Sequence, residues 1–335
     1  MTQQPIDPYA AEQAPSQRDG RLGVGVISAG KVGAVLGASL RAAGHSVVGV
    51  HAVSEDSRSR AESLLPDVPV LEIPEILRRA ELVLLAVPDD VLPEVVSGIA
   101  EAGHIQAGQL IVHTSGRHGT GVLGPAQQAG AIGLAIHPAM TFTGMSMDLQ
   151  RLNACAFAVT APGPVLPIAQ ALVVEMGGEP VVIAEQDRGT YHAALTHASN
   201  HLNTLTGQAA EMLGRIGVEQ PDHVLRPLMH ASLDNALASG EGALTGPIAR
   251  GDLNTVRHHV GLLSEGTEGA EGAGTDADAD AEGAGAQGGS VPRAADLPAD
   301  VRTAYLAMAR ATAQRALDRG IITEGQAAEL LDLLD

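Results

Sequence analysis

GVGVISAGKVGAVLGASLRAAG, residues 23–44, decides the fold. Residues 23–27 form an apolar strand. Ser28-Ala29-Gly30 turns the chain, and a helix carrying Gly33 and Gly37 follows. SVVGV, residues 46–50, then reads as a second strand. Strand, glycine turn, helix and strand at this spacing are the opening βαβ unit of a dinucleotide-binding domain. The fingerprint G-x-G-x-x-G appears as S-x-G-x-x-G, with Ser28 in the place of the first glycine. Gly30 lets backbone approach a pyrophosphate, and Gly33 lets the helix pack close to its strand. The helix N-terminus offers free N–H groups and a partial positive charge to phosphates. The competing reading is a structural glycine turn in an unrelated α/β protein.

Outward from this unit, strands alternate with helical stretches to about residue 184. Residues 68–71 read as a short third strand. LVLLAV, 82–87, is continuously apolar, as a strand buried on both faces is. It ends in Pro88-Asp89-Asp90, whose acid pair suits the cap of the next helix. QLIVH, 109–113, ends in Thr114-Ser115-Gly116, and GLAIH, 133–137, runs into PAMTFTG, 138–144. Two more strands, 157–160 and 181–183, flank a helix at 164–176. Ligands of open parallel sheets bind beyond the carboxyl ends of the strands. The SAG, VPDD, HTSG and HPAMTFTG loops are therefore expected along one rim, where a nicotinamide would meet its substrate.

An NAD site usually closes its second strand on an Asp or Glu that holds the ribose hydroxyls. None stands there; Glu55 and Asp56 lie slightly beyond. Ser54, Ser57, Arg58 and Arg60 suit a 2′-phosphate instead, which favours NADP over NAD. Ordinary surface arginines at a solvated helix start are the alternative. The cofactor-binding set expected from these loops is Ser28, Ala29, Gly30, Lys31, Val32, Gly33, Ser54, Arg58, Val87 and Pro88.

From Asp187 onward the pattern is helical. The domain boundary is expected near 184, although a sequence-family boundary near 160 is an alternative. Residues 188–216 read as one long helix with Leu195, Ala198, Leu202, Leu205, Ala209 and Met212 on one face. A second face carries His192, Thr196, Ser199, Asn200 and Asn203, as a helix spanning a cleft would. An exposed helix would more often carry Glu, Lys and Arg. Another helix is expected at 222–238. TGPIARGD, 245–252, is loop-like and ends in a helix cap, and helices at 298–319 and 324–334 close the chain.

Hydrophobic residues make up 45% of the 335 residues, enough for a core, but aromatics only 1%, so aliphatic side chains must fill it. A net charge of −19 argues against a nucleic-acid backbone as partner. One cysteine, Cys155, excludes internal disulfides and fits a reducing compartment; it reads as a small buried hydrophobe. No apolar run reaches transmembrane length and no signal-peptide core precedes the fold, so a soluble cytoplasmic protein without a membrane partner is expected. Residues 1–20 read as a disordered tail. Residues 264–293 are acidic and of low complexity, and read as a disordered insert. Asp276, Asp278 and Asp280 lack the glycine and Glu of a calcium loop, so no metal is expected.

A nucleotide domain (21–184) followed by a helical domain (185–335) resembles the 6-phosphogluconate dehydrogenase-like superfamily, which includes ketopantoate and pyrroline-5-carboxylate reductases. More closely, the chain is similar to a family of oxidoreductase-like proteins that join a Rossmann-like domain to a C-terminal domain of unknown function (number 2520). VISAGKVG, LLAVPDD, VHTSG, HPAMTFTG, YHAALTHASNHL, LDNAL and LTGPIARGD carry the likeness, over about 21–263 and 297–320. The resemblance implies a Rossmann-type α/β domain before an all-α domain, a nicotinamide cofactor, reduction of a small carboxylate and a homodimer. Members of the group are linked to ketopantoate reduction.

The superfamily's reductases place a proton-donating Lys, followed by Asn, on the first long helix of the second domain. Here the one lysine is Lys31, in the phosphate loop. Aligning the helices brings His192 to the lysine position and Asn200 near the asparagine. A histidine suits proton donation near neutral pH. The catalytic set implied is His192 as donor, Asn200 orienting the carbonyl and Ser115 as a second donor. His137, Thr196, Asn203 and Arg250 are the substrate-binding set, with Arg250 matched to a carboxylate. The leading expectation is an NADP-dependent reductase of a small 2-oxo acid, ketopantoate first. The alternatives are a cyclic-imine reductase and an NADP-binding sensor without turnover.

Overall fold

Continuous apolar character places LVLL in the interior of the sheet, away from both edges. In the computed structural model, which describes residues 21–153, 155–264 and 297–335, this strand alternates between two cores. Leu82 and Leu84 face one, and Val83 and Leu85 the other. The tail expected at 1–20 and the acidic insert beyond Ser264 lie outside the described residues. The chain divides into two units, Met1–Ala198 and Ser199–Asp335.

The first unit runs β1 (Gly23–Ile27), α1 (Lys31–Ala42), β2 (Ser46–His51), α2 (Glu55–Leu64), α3 (Ile73–Arg79), β3 (Leu82–Leu85), α4 (Leu92–Glu101), β4 (Leu110–His113), α5 (Gly124–Gln128), β5 (Ile132–Pro138), α6 (Met147–Arg151), β6 (Ala156–Thr160), α7 (Leu166–Glu175) and β7 (Glu179–Val182). It ends in the first turns of α8 (Arg188–Arg215). The seven strands form one sheet in the order β2-β1-β3-β4-β5-β6-β7. β1 to β5 are parallel. The strand order reverses between β1 and β3, and in such sheets a dinucleotide lies across the carboxyl-end crevice at that point. Among the described residues, Phe157 is the one aromatic in the fully buried core.

Three expectations are corrected. The stretch 68–71 is not a strand; it makes only the isolated bridge Val50–Val70. Pro66, Pro69 and Pro74 remove ladder donors around it, and Asp67 turns the chain at φ 67. The sheet is not wholly parallel, because β6 pairs antiparallel with β5 and β7 follows β6. The β5–β6 link holds only the five-residue α6, not a full crossover helix. Finally, Asp89 and Asp90 do not cap α4, whose N-cap, Val91, makes no side-chain bond. They pair with Arg117 instead, at 3.7 and 3.1 Å.

The second unit contains the rest of α8 with α9 (Pro221–Ser239), α10 (Leu253–Ser264), α11 (Ala299–Asp318) and α12 (Glu324–Leu334). Its core joins α10, α11 and α12 through Val256, Leu306, Ala313, Ile322 and Leu330. Asp252 caps α10, as the TGPIARGD run predicts, accepting from Thr255 N at 3.1 Å. A Thr323–Gln326 capping box opens α12. The apolar stripe expected on α8 stays open here: Leu202 and Leu205 are exposed, and in α9 only Leu225 is buried. Among the described residues no helix is long and apolar enough to cross a membrane.

Candidate active site

The first half of the site is the turn after β1. Ser28 adopts φ 74, the left-handed conformation for which the fingerprint normally uses glycine. That costs about 1–2 kcal/mol for a residue with a Cβ, so the turn is maintained by its surroundings. Ala29 N donates to His51 O at 3.0 Å and ties it to the end of β2. Gly30 is the N-cap of α1, no side chain caps that end, and its first turn carries no acid. The uncapped N–H groups form an anion site. Beside them a cleft of about 430 Å³ is lined by Ser28, Gly30, His51, Ser54, Ser57, Arg60 and the apolar Val53, Ile73, Val87 and Val95. Among the described residues no carboxylate lines it. Apolar walls for a base and an anion-binding end fit a nicotinamide dinucleotide. Val32 packs against the core; Lys31 and Pro88 are exposed at the rim. Arg58 does not line the cleft; its Nε donates to Ala52 O at 3.3 Å.

The second half lies at the carboxyl ends of β4 and β5. His137, at the end of β5, meets Tyr191 Oη through Nδ1 at 2.9 Å. The His192 ring stands edge-on to His137, centroids 6.3 Å apart. Gly116 backs both: a Cβ there would lie 3.0 Å from His137 Nε2 and 2.7 Å from His192 Cδ2. Any side chain at 116 would therefore displace the two imidazole edges. Ser115 is buried, and its Oγ accepts from His118 N at 3.2 Å, with its hydroxyl proton still available to a substrate. Thr196 is half-buried, one turn beyond His192.

Beneath this cluster lies Arg188, 1% exposed. Its Nε donates to Thr160 Oγ1 at 2.8 Å. Nη1 reaches Ser115 O at 3.2 Å, and Nη2 reaches Ala135 O at 2.8 Å and Ala158 O at 3.2 Å. Among the described residues no carboxylate lies within ion-pair distance. A buried guanidinium satisfied only by neutral oxygens keeps its charge in a low-dielectric setting, where it acts strongly on its neighbours. It also stands in the first turn of α8, where the helix dipole adds positive potential. Burial, then the Arg188 charge, hold His137 down to about 4. Burial likewise holds His113 at about 4, although its bond to Gly119 O opposes this. His113 Nδ1 accepts from Ser115 N, so its ring proton is on Nε2, donated to Gly119 O at 2.8 Å.

Of the expected site residues, the first unit brings Ser115, His137 and His192 together. Asn200, Asn203 and Arg250 belong to the second unit and are exposed. Tyr191, Arg188, His113 and Gly116 were not singled out by sequence reasoning. One signal was available for Arg188: a basic residue opening a helix opposes the dipole and calls for a reason.

With this geometry in hand, the chain can be placed among known proteins. Residues 8–138 match the Rossmann-like domain family, and residues 155–271 match a domain of unknown function, DUF2520. The chain thus carries a Rossmann-like domain followed by a DUF2520 domain. No curated protein matches it. Among solved structures it is similar to a Bacteroides fragilis protein described as an NADP oxidoreductase, BF3122, with 22% identity and TM-score 0.62 over 73% of this chain and 92% of that one. An imine reductase from Pseudomonas sp. matches with 18% identity and TM-score 0.58, over 94% and 100%. The 1-pyrroline-5-carboxylate reductase of Streptococcus pyogenes matches with 18% identity and TM-score 0.50, over 66% and 81%. These likenesses establish a shared fold.

Proposed function

We propose that the chain is an NADP-dependent reductase of a small 2-oxo acid, with ketopantoate the first candidate. The observation that carries this reading is the neutral His137 beside His192, above the buried Arg188. Reducing a ketone develops negative charge on its oxygen. Positive potential from Arg188 and the start of α8 favours that charge. When bound, NADPH supplies the hydride. Tyr191 O–H donates to His137 Nδ1, which leaves the ring proton on Nε2 and directs it at the carbonyl oxygen. A histidine held neutral by burial polarises the oxygen but is a poor acid. His192 therefore delivers the proton to the alkoxide.

Reduction of a cyclic imine is the second reading, favoured by the likeness to the pyrroline-5-carboxylate and imine reductases. An iminium would bring positive charge towards Arg188, which counts against it. A panel of 2-oxo acids and cyclic imines tested for NADPH oxidation separates the two. Turnover is expected with 2-oxo acids; turnover with imines alone would reverse the assignment. Tight NADPH binding with no turnover of any panel member would point to a sensor.

The active form in this reading is a homodimer. Leu202, Leu205, Leu228 and Leu237 stand exposed on α8 and α9, an apolar surface that a second copy of the chain would cover. Light scattering should give twice the mass of the chain. The mass of a single chain at assay concentration would refute the dimer.

A further inference from the structure

We infer that the loop after β5 positions Arg60 to read the cofactor's 2′-phosphate, with Gly144 and Asp148 as its positioning residues. This rests on the NADP reading above. Arg60 is the basic side chain that lines the cleft, and its own ion pair is weak: Asp56 is 3.7 Å away and largely exposed. The guanidinium is thus available to a ligand, and its stem lies against Gly144. A Cβ on Gly144 would lie 3.1 Å from Arg60 Cδ and Nε and 3.0 Å from Lys31 Cγ. Gly144 also has φ 83, which disfavours any side chain.

Asp148 fixes that approach. Its fully buried carboxylate accepts from Thr143 N at 2.7 Å, Gly144 N at 2.8 Å and Thr143 Oγ1 at 3.0 Å. Burial alone would raise its pKa, but the bonds from Gly144 and Thr143 outweigh this and hold it below the ordinary carboxylate value. The loop is thereby fastened by an ionised group and sets Gly144 against the side chains of Lys31 and Arg60. Lys31 stands at the start of α1, where a pyrophosphate would bind. Arg60 stands one β-strand away, beyond His51, where a ribose 2′-substituent would lie. The loop's other end is His137. One segment thus carries a substrate group and supports the cofactor-reading group.

The test is calorimetric binding of adenosine 2′,5′-bisphosphate and of 5′-AMP, neither of which requires turnover. The unaltered chain should prefer the bisphosphate. Arg60→Ala should weaken the bisphosphate by about 10–100-fold, the scale of charge-assisted bonds, and leave 5′-AMP unchanged. Arg58→Ala should do neither. Gly144→Ala should lose roughly tenfold on the bisphosphate alone. Should that variant not fold, Thr143→Val, which removes one donor from Asp148, should show the same selective loss at smaller size. Undiminished preference in both loop variants, or equal weakening of both ligands, would overturn the loop's role. If the unaltered chain itself shows no preference, the NADP reading is what fails.

Discussion

His192→Ala is expected to lower kcat by about 10²–10⁴-fold, the range for loss of a general acid, with NADPH affinity nearly unchanged. The two histidines at the rim cannot share the role. His137 is held near 4 by burial and Arg188, so at neutral pH it is an uncharged imidazole, a hydrogen-bond donor but a poor acid. It is also fixed by Tyr191 at 2.9 Å, as a hydrogen-bonding group should be. His192 presents its edge to the same gap above Gly116. His137→Gln keeps a donor of similar reach and should cost less, with the loss divided between KM and kcat. Tyr191→Phe frees the tautomer of His137 and should resemble it. His197 and His201 serve as controls on other faces of α8. If His137→Gln abolishes turnover while His192→Ala retains it, the two roles are exchanged.

Stability is expected to fall steeply as pH drops from about 6.5 to about 4, by about 3 kcal/mol for each of His113 and His137. Both are held at about 4 in the fold, against an ordinary value of 6.5. Within that window the unfolded chain binds a proton on each and the folded chain does not. Protons therefore favour unfolding: the stability is complete above the unfolded value and is lost as pH descends towards the folded one. Urea titrations across the window measure the slope. His113→Gln should reduce the slope by about half. It should also lower stability at neutral pH by about 1–3 kcal/mol, through the bonds to Gly119 and Ser115. An unaltered slope in the His113→Gln, His137→Gln double variant would assign acid sensitivity to other groups.

The parts of this fold legible in the sequence are those written in local pattern. β3 is a run without a polar residue, and α12 is punctuated by Thr323 and Gln326, so both emerge from spacing alone. The S-x-G-x-x-G turn was readable because strand and helix flank it. Strand direction is not local, and nothing in AFAVT distinguishes an antiparallel β6 from a parallel one. The stretch at 68–71 has a strand's apolar residues, but Pro69 within it and Pro66 and Pro74 beside it limit its pairing to one bridge. In the candidate site, His137 and His192 were visible as rim and helix residues. Arg188 was not, because its acceptors come from Ser115, Ala135, Ala158 and Thr160, which only the folded sheet assembles. Arg60 and Arg58 were indistinguishable as letters two apart; only the side-chain paths separate them.

The position of Tyr191 also makes the protein its own optical probe. The chain has no tryptophan and three tyrosines. Tyr305 is bonded to His259 in the second unit, and Tyr9 lies outside the described residues. Tyrosine emission falls where reduced nicotinamide absorbs, so a dinucleotide seated at this rim would drain the excited state of Tyr191 by energy transfer. In most proteins that signal is buried under indole fluorescence. Here no indole masks the phenol that orients His137, and partial quenching of the tyrosine signal would report cofactor arrival and departure without a label.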